Sequence, residues 1–423
     1  MKIISVTGTK GKTTATNLTA DLMRRLGHDT LHVNTVGHYV NGQQKSTVED
    51  SKRIWGIKTP SLIPGRYLGE FLSGSLEHDP VAVLEASFSC RKSGLGYRRH
   101  DVGVFLNVFE DHIDSRSAIK NQADLSRAKS FIFSKIARDG WAVFNADDEF
   151  VCSVLDAIPS ESNIRLLPCG RTFAHFDVKG HLANGGVAMV LDDEGIVLKS
   201  QEEDRILYTF KPDDMTHGGA FEPSMWNMLH ACGAVYGLYN GRMPDELTSL
   251  LKTYHPSDDD GRLVKMETRN GVTVIADYAH EKESLRAVAK LARSLVKENG
   301  NLTGVVRLNH ERPDDVIYHF GELAGELFDD VVVYDKIDGY WRDAQTHSMK
   351  RFPQVAGRTS TLVAEGALRT NSTVQRIVRE DEAVAYAAHH AKSGDVVVAI
   401  INDDVKRSLE FIKKSFSVEP ADQ

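Results

Sequence analysis

The residues with the clearest chemical signature lie near the start of the sequence, in the run Gly8-Thr9-Lys10-Gly11-Lys12-Thr13-Thr14. This run stands between an apolar segment typical of a strand, residues 2–6, and a segment with helical spacing of apolar residues, 13–26. Glycines let backbone N–H groups approach phosphate oxygens closely, and the helix that follows points its positive end at them. We therefore predict a phosphate-binding loop, in which Lys12 reaches the outer phosphates and the Thr13 hydroxyl binds Mg²⁺.

The generic motif of such loops is only partly matched, because it has a glycine five positions before Gly11 and this sequence has Val6 there. The alternative is a turn rich in glycine and threonine that binds no ligand. The strand–loop–helix context favours the phosphate loop over that alternative.

Polar residues also follow two other predicted strands. Glu85 comes directly after the apolar run 81–84, and Asn107 follows the run 102–106. A carboxylate at the crevice end of a strand can hold Mg²⁺ against triphosphate oxygens, although a solvated glutamate is the simpler interpretation. We therefore take Glu85 as a candidate metal ligand.

The strands that carry these residues indicate the fold. Runs 81–84 and 102–106 are continuously apolar, as in strands that are buried on both faces of a parallel sheet. Alternation of such strands with helices predicts a doubly wound α/β domain, with its ligand beyond the carboxyl ends of the strands. Short β-rich runs between 163 and 210 predict a small antiparallel β insertion, and a helix is expected over 225–239.

A polar, acidic segment with Pro and Gly, residues 255–261, predicts a domain boundary. We place a first domain at 1–257 and a second at 258–423. Strands recur after the boundary at 272–276, 303–307, 331–334 and 396–400, with helical segments at 284–297 and 316–327 between them. The second domain is therefore also predicted to be α/β.

Composition excludes some classes of protein. The 423 residues include 51 basic and 59 acidic side chains and carry a net charge of −8, which argues against a nucleic-acid binder held by phosphate contacts. The longest apolar runs, such as 396–401, are too short to span a bilayer, and no signal-peptide pattern is visible. The four cysteines have no Cys-x-x-Cys spacing, so we expect free thiols in a cytoplasmic protein.

With further motifs added, the sequence resembles the Mur ligase family. The motifs occur in the family's order and span nearly the whole chain; they are the phosphate loop, Val83-Leu84-Glu85-Ala86-Ser87, Asn107-Val108-Phe109-Glu110-Asp111-His112, Arg127-Ala128-Lys129, Phe144-Asn145-Ala146-Asp147-Asp148, Trp226-Asn227-Met228-Leu229-His230, Asp260-Gly261-Arg262 and Asp277-Tyr278-Ala279-His280. The resemblance implies a P-loop central domain with a mostly parallel sheet, followed by a Rossmann-like α/β domain.

Within the family, the segment from Val83 to Val104 is most similar to the ligase half of cyanophycin synthetases, and poly-γ-glutamate synthases are more distant. The sequence begins at the phosphate loop, so we expect neither a UDP-linked precursor as substrate nor a companion ATP-grasp half. Without that half we do not expect two alternating ligations by this chain alone.

The family reaction joins a carboxylate to an amine at the expense of ATP, with Mg²⁺ as cofactor and an acyl phosphate as intermediate. The resemblance therefore implies an amide-forming ligase acting on an amino acid, a peptide or an acidic polymer. Two alternatives remain open: a nucleotide-binding subunit that lacks autonomous activity, and a P-loop switch or kinase. A homo-oligomer or a partner ligase subunit is possible, and neither nucleic acid nor membrane is expected.

The resemblance also implies roles for individual residues. Glu85 corresponds to the magnesium ligand, His112 to a residue of the second magnesium site, and Lys129 to a lysine that is carbamylated in many relatives. Each has a simpler structural interpretation, as a solvated or core side chain.

The remaining implied contacts concern nucleotide and substrate. The phosphate loop, Asn107, Asn227, Arg262 and Asp277 would contact the nucleotide, and Arg262 would complete the site on closure of a hinge. On the amine side we expect His280, Arg312 and Arg342. Only Arg312 in the segment 309–313 matches the family's pattern well, so the amine specificity is expected to differ.

Overall fold

The structure is a computed structural model, and it describes the chain except residues 57–58, 110–118, 257–260, 310–311, 336–339, 343–348, 352–356, 403 and 419–423, together with the side chains of Trp55, 340–342 and 349–351. The chain divides into two compact units, Met1–Pro256 and Ser257–Gln423.

The first unit is built on one large, mostly parallel sheet. Its described strands are β1 (Lys2–Thr7), β2 (Thr30–Val33), β3 (Gly37–Val40), β4 (Gln43–Thr47), β5 (Val81–Glu85), β6 (His100–Phe105), β7 (Ile136–Asn145), β8 (Arg165–Gly170), β9 (Ala188–Leu191), β10 (Gly195–Lys199) and β11 (Asp204–Thr209). They lie in the order β11-β10-β9-β8-β7-β6-β1-β5-β2-β3-β4. Strands β2, β5, β1, β6, β7, β8 and β9 run parallel, and an antiparallel pair flanks them at each edge.

Helices cover both faces of this sheet. Those of the first unit are α1 (Lys12–Arg25), α2 (Val48–Trp55), α3 (Leu68–Ser73), α4 (Cys90–Ser93), α5 (Gln122–Lys129), α6 (Phe131–Ser134), α7 (Glu149–Cys152), α8 (Val178–Ala183), α9 (Glu222–Leu238) and α10 (Leu247–Lys252). Leu18 and Leu22 of α1 and Met228 of α9 pack with Ile4 and Val104 in one core. The opposite face carries a second core around Phe105, Phe133 and Phe144.

The segment 163–210 differs from the separate antiparallel insertion that the sequence suggested. Strands β8 and β9 continue the main sheet in parallel, and only β10 and β11 are antiparallel, at its edge. The parallel crossover between β8 and β9 uses α8, which has six residues and none of them buried. Because so short a helix with no buried residue leaves no apolar periodicity, the sequence pattern showed only strands and turns.

The second unit contains a smaller, mostly parallel sheet in the order β12-β13-β19-β14-β15-β18. Its strands, with a separate antiparallel pair β16–β17, are β12 (Val264–Glu267), β13 (Thr273–Asp277), β14 (Leu302–Val306), β15 (Asp330–Val333), β16 (Tyr340–Arg342), β17 (Met349–Arg351), β18 (Val374–Arg376) and β19 (Val396–Ile400). Its helices are α11 (Lys282–Leu295), α12 (Asp314–Leu327), α13 (Arg358–Ala367), α14 (Glu380–His390) and α15 (Val405–Ser415). Only β12 runs antiparallel to its neighbour in the sheet.

The predictions of a doubly wound α/β architecture in the first unit and of an α/β fold in the second unit are confirmed. All four cysteines are free thiols, as expected. Over the part of the chain that the structure describes, no helix combines the length and the apolar character that crossing a bilayer requires.

Candidate active site

The predicted phosphate loop connects β1 to α1, at the carboxyl edge of the large sheet. Gly11 is the residue before α1, and its φ of 80° and ψ of −9° place it in the left-handed region that favours glycine. A Cβ at this position would overlap the side-chain oxygen of Asn227 in α9. Thr13 and Thr14 lie in the first turn of α1, with Thr13 buried. The loop and α9 are therefore fitted closely to one another.

Asn107 holds the loop from the neighbouring strand end. Its Oδ1 accepts hydrogen bonds from the backbone N–H groups of Thr9 (3.1 Å) and Lys10 (2.8 Å), and its Nδ2 donates to the Lys10 carbonyl (3.1 Å). The next residue, Val108, donates its N–H to Asp148 at 2.7 Å. Burial raises the pKa of the Asp148 carboxyl. Backbone hydrogen bonds to this carboxyl act in the opposite direction, but their effect on the pKa is smaller. Asn107 thus supports the loop conformation directly, with Asp148 behind it.

Two lysine ammonium groups lie on the loop. Lys12 Nζ donates to the Thr9 carbonyl at 2.9 Å, and Lys129 Nζ, from the end of α5, donates to the Gly8 carbonyl at 2.8 Å. Lys129 is only 3% exposed, although lysine is seldom buried, and it lies 5.9 Å from the centre of the Phe88 ring. Both lysines thus donate to backbone carbonyls of the predicted phosphate loop.

A group of oxygen atoms lies beside the loop, around Glu85. The Glu85 carboxylate ends β5 and is 1% exposed. It accepts hydrogen bonds from the Thr13 hydroxyl (2.9 Å), the Thr35 N–H (3.2 Å) and the Thr35 hydroxyl (3.2 Å). The two threonine hydroxyls are 2.9 Å apart. A carboxylate and two hydroxyls form a donor set that suits a hard divalent cation.

This donor set fits a cation that is also held by phosphate oxygens. Among the described residues, no group of three His, Cys, Asp or Glu side chains could hold a metal ion by itself. One carboxylate and two hydroxyls are too few ligands for Mg²⁺, which usually takes water and substrate phosphates for the remainder. The arrangement therefore fits magnesium bound together with a nucleotide.

Thr35 was missed by the sequence interpretation. It lies two residues after β2, which ends at Val33. Glu85 and Asn107 were found because they follow predicted strands, and the same rule applied to residues 31–34 would have pointed to Thr35.

Cys90, at the start of α4, is close to this group, and burial disfavours its thiolate form. Burial raises the pKa of its thiol to about 11, and the charges of Lys129 and Glu85 act on it in opposite directions. The Cys90 side chain is therefore a neutral thiol at physiological pH.

Asn227 is 7% exposed and lies against the loop, as the overlap at Gly11 indicates. One turn later in α9, burial lowers the pKa of His230 to about 4, and its Nδ1 lies 2.7 Å from the Trp226 carbonyl. His230 is therefore a neutral core histidine. The Trp226 ring, which is half-buried, lies 6.0 Å from the His230 ring.

In the second unit, Asp277 and Arg262 are close to one another. Asp277 ends β13, is 8% exposed and accepts the Leu263 N–H at 2.8 Å. Burial raises the pKa of Asp277 to about 6, although the charge of Arg262 opposes the shift. His280 follows, with its Nδ1 2.9 Å from the Tyr278 carbonyl, so this nitrogen carries the proton.

Three further predicted residues are Arg312, Arg342 and His112. Arg312 is half-buried, and its backbone N–H donates to the Asn309 carbonyl at 3.3 Å. Arg342 ends β16, and its side chain is not described. His112 lies outside the described residues. The structure therefore brings together the loop, Glu85, Asn107, Lys129 and Asn227 in the first unit.

Comparison with known proteins finds two consecutive domain families. The Mur ligase middle domain matches residues 6–172, and the glutamate ligase domain of Mur ligases matches residues 261–400. Together they account for well over half of the chain.

Similar proteins align over almost the whole chain. A cyanophycin synthetase of Crocosphaera subtropica is 27% identical over 97% of this chain and 44% of its own length. A UDP-N-acetylmuramoyl-L-alanyl-D-glutamate–2,6-diaminopimelate ligase of Parabacteroides distasonis is 25% identical over 94% of this chain and 72% of its own. The chain therefore spans less than half of the cyanophycin synthetase that it matches.

Among solved structures, E. coli FolC in complex with DHPP and ADP has the same fold. The TM-score is 0.64 at 16% identity, over 98% of this chain and 89% of FolC. At that identity the likeness concerns the fold alone.

Proposed function

Because the chain belongs to the Mur ligase family, we propose that it is an ATP-dependent ligase that joins a carboxylate to an amine. The products are an amide, ADP and phosphate. The observation that carries the proposal is the arrangement of two lysines and the Glu85–Thr13–Thr35 oxygens around one phosphate loop. Relatives of the chain include a cyanophycin synthetase and a UDP-N-acetylmuramoyl-L-alanyl-D-glutamate–2,6-diaminopimelate ligase, and both names denote ligation.

The chemistry is a displacement at phosphorus followed by one at carbon. A carboxylate oxygen of the first substrate attacks the terminal phosphorus of ATP, and ADP leaves. The amine nitrogen then attacks the carbonyl carbon of the acyl phosphate, loses a proton, and phosphate leaves. Both steps depend on positioning and on neutralising phosphate charge, and neither needs a protein nucleophile.

The loop residues have separate tasks in this scheme. The N–H groups of the loop and the start of α1 bind the phosphates, and Lys12 swings from the Thr9 carbonyl to the terminal phosphate. Glu85, Thr13 and Thr35 would hold Mg²⁺, which neutralises triphosphate charge when bound. Asn107 keeps the loop in its binding conformation, and Asn227 contributes to binding the nucleotide.

Lys129 contributes a buried positive charge next to the loop. We also retain the proposal that it is carbamylated, which would turn it into an oxygen ligand of a second cation together with His112. The intact mass of the purified protein, measured under bicarbonate and after acidification, would distinguish the two forms.

For the second unit we propose nucleotide binding by Arg262 and Asp277, and binding of the amine substrate by His280, Arg312 and Arg342. The substrates are an amino acid, a peptide or an acidic polymer. An alternative is a nucleotide-binding subunit that needs a partner for turnover.

The proposal is tested by offering the full chain ATP, MgCl₂ and pools of amino acids and acidic peptides, with mass spectrometry of the products. We expect an amide product and ADP release that depends on an amine. Lys12→Ala should lower this rate by at least about 100-fold, equivalent to about 3 kcal/mol of transition-state stabilisation. Lys135→Ala, which removes an exposed lysine outside the site, is the matched control.

Three outcomes would count against the proposal. Wild-type activity in Lys12→Ala would refute the role of the loop. Phosphate release without any amine dependence would indicate a P-loop switch. Tight ATP binding without turnover, with turnover restored by a partner protein, would favour the alternative.

A further inference from the structure

Arg307 is a fully buried arginine that none of the roles above includes. It follows β14 directly, at the carboxyl edge of the second unit's sheet, and is 0% exposed. Arginine is almost never buried to this extent unless its donors are satisfied. The contacts of its guanidinium therefore compensate for the loss of hydration.

The guanidinium joins segments that follow three different strands. Its Nε donates to the Ile401 carbonyl at 3.1 Å, and its Nη2 donates to the same oxygen. Its Nη1 donates to the side-chain Oδ1 of Asn309 at 2.7 Å. Its central carbon lies 5.0 Å from the centre of the Tyr278 ring, within the range of a cation–π interaction.

Two of these segments carry residues that we propose for the second unit's site. Tyr278 lies between Asp277 and His280, and the His280 ring lies 5.1 Å from the Tyr278 ring. The Asn309 carbonyl accepts the backbone N–H of Arg312. Arg307 thus contacts Tyr278, whose ring lies near His280, and Asn309, which bonds to the Arg312 backbone, without being exposed itself.

The third segment contains Ile401, whose carbonyl accepts two of the Arg307 hydrogen bonds. Ile401 is 1% exposed and follows β19, which pairs with β13 on one side and β14 on the other. The segments after β13 and β14 therefore belong to strands that are separated by β19. Arg307 reaches across this strand end and fixes both segments to it.

Arg307 makes these bonds to uncharged groups. Within the described residues, no Asp or Glu oxygen lies at ion-pair distance from its guanidinium. Its acceptors include a backbone carbonyl and an amide oxygen, and the Tyr334 hydroxyl also interacts with it. A planar guanidinium directs its donors in fixed directions, which a lysine ammonium cannot do. The arrangement suits geometric fixation rather than an ion pair.

We propose that Arg307 is a positioning residue, which holds the segments of His280 and Arg312 in one arrangement for the amine substrate. It acts through Tyr278 and Asn309 and does not touch the substrate. The kinetic part of this inference rests on the proposed ligase function, whereas the structural part does not.

The structural part is tested by hydrogen–deuterium exchange on the full chain, read by mass spectrometry. Arg307→Met keeps the apolar length and removes every donor, so we expect faster exchange in peptides that cover 278–280 and 308–309. Thr268→Val is the matched control, because it removes a buried hydroxyl that bonds to the Val272 carbonyl at the opposite edge of the sheet. The control should leave those peptides unchanged even where it lowers the melting temperature.

The kinetic part is tested in the product assay by measuring the half-saturating concentrations of the amine and of ATP. In Arg307→Met we expect the half-saturating concentration of the amine to rise by about tenfold, which is the effect typical of losing a charge-assisted hydrogen bond. The half-saturating concentration of ATP should stay unchanged. Arg307→Lys keeps the charge without the fixed donor geometry and should show most of this effect. If Arg307→Met does not fold, Asn309→Ala removes one of the contacts and should produce a smaller rise.

Unchanged hydrogen–deuterium exchange at both segments in Arg307→Met would overturn the proposal. An equal rise in the half-saturating concentrations of ATP and of the amine would also overturn it. If the chain forms no amide with any amine, the ligase proposal fails and the exchange result alone decides the role of Arg307.

Discussion

Glu85 is a buried carboxylate, and its hydrogen-bond donors within the described part of the chain all belong to Thr13 and Thr35. A buried charge is tolerated when several hydrogen bonds compensate the loss of hydration. The same hydroxyls can turn their lone pairs toward a cation, since a hydroxyl both donates and accepts. Glu85 is thus stabilised without a metal and remains suited to bind one.

Replacing Thr35 by valine tests this dual role. Thr35→Val keeps the shape but removes one donor to Glu85 and one oxygen that we propose as a metal ligand. We expect the Mg²⁺ concentration for half-maximal ADP release to rise by about tenfold, or about 1.4 kcal/mol. Thr35→Ser retains the hydroxyl and should stay near wild type. An equal rise in both variants, or none in Thr35→Val, would contradict the assignment.

The start of helix α1 is shaped by its packing against α9. Gly11 has a positive φ, and the Asn227 side chain occupies the space where a Cβ would lie. The glycine is therefore required both for the backbone turn and for the close approach of two helices. Both requirements position the loop N–H groups that we propose as phosphate ligands.

A double-mutant cycle separates the two requirements. Gly11→Ala should cost about 1–2 kcal/mol of unfolding free energy for the left-handed backbone, and more for the overlap with Asn227. Gly27→Ala has a similar φ, 89°, with nothing within 4 Å of its Cβ, and should show the backbone cost alone. In an Asn227→Ala background the extra cost at Gly11 should disappear, as measured by urea unfolding. Strict additivity of the two substitutions would contradict this packing.

Elements differ in how far local sequence predicts them. Strand β5 is buried along its whole length and appeared as an uninterrupted apolar run. Helix α9 extends from Glu222 to Leu238, so its predicted start at 225 was three residues late. Its second residue is a proline, which is usually taken as a sign that a helix has not yet begun. The edge strands β10 and β11 were visible, but their membership of the main sheet was not.

At the scale of the whole molecule, each unit has its own sheet and core. Asp277 lies at the carboxyl edge of the second sheet, and the pKa of its carboxyl is raised to about 6 by burial. The folded state therefore binds this proton more tightly than the unfolded state, in which the ordinary pKa is 3.8. Stability is then lost as the pH rises through about 6.

Asp277→Asn should remove this pH dependence. At pH values above the folded pKa, the pKa shift lowers the unfolding free energy of the wild type by about 3 kcal/mol. The variant should therefore be more stable than wild type at pH 7.5, and this gain in stability should shrink toward pH 4. Thermal melting over that range measures it. A gain that is equal at all pH values would show that titration of Asp277 is not its cause.

Asp329→Asn serves as a control of opposite sign in the same unit. Partial burial opposes the charge of Asp329, but the hydrogen bond from Arg293 and backbone bonding hold the pKa of this carboxyl below its usual value. A depressed pKa contributes stability above the unfolded value that is lost as the pH falls. Asp329→Asn should therefore be less stable than wild type at pH 7.5, and the difference should narrow in acid.

Local sequence was sufficient to predict the strand–loop–helix around Gly8 to Thr14, the strand ends at Glu85 and Asn107, and the α/β class of both units. These features depend on residues that are neighbours along the chain, where glycine freedom and apolar periodicity act directly. Family resemblance added Lys129 and Asn227, whose own surroundings carry no comparable pattern.

Only the tertiary structure placed Thr35 on Glu85, Lys129 on the Gly8 carbonyl, and Arg307 between Asn309 and Ile401. Along the chain, Thr35 and Glu85 are 50 positions apart, Lys129 and Gly8 are 121 apart, and Arg307 and Ile401 are 94 apart. Such contacts follow from the order in which strands pair. That order is set by burial over a whole sheet, which no local window of sequence contains.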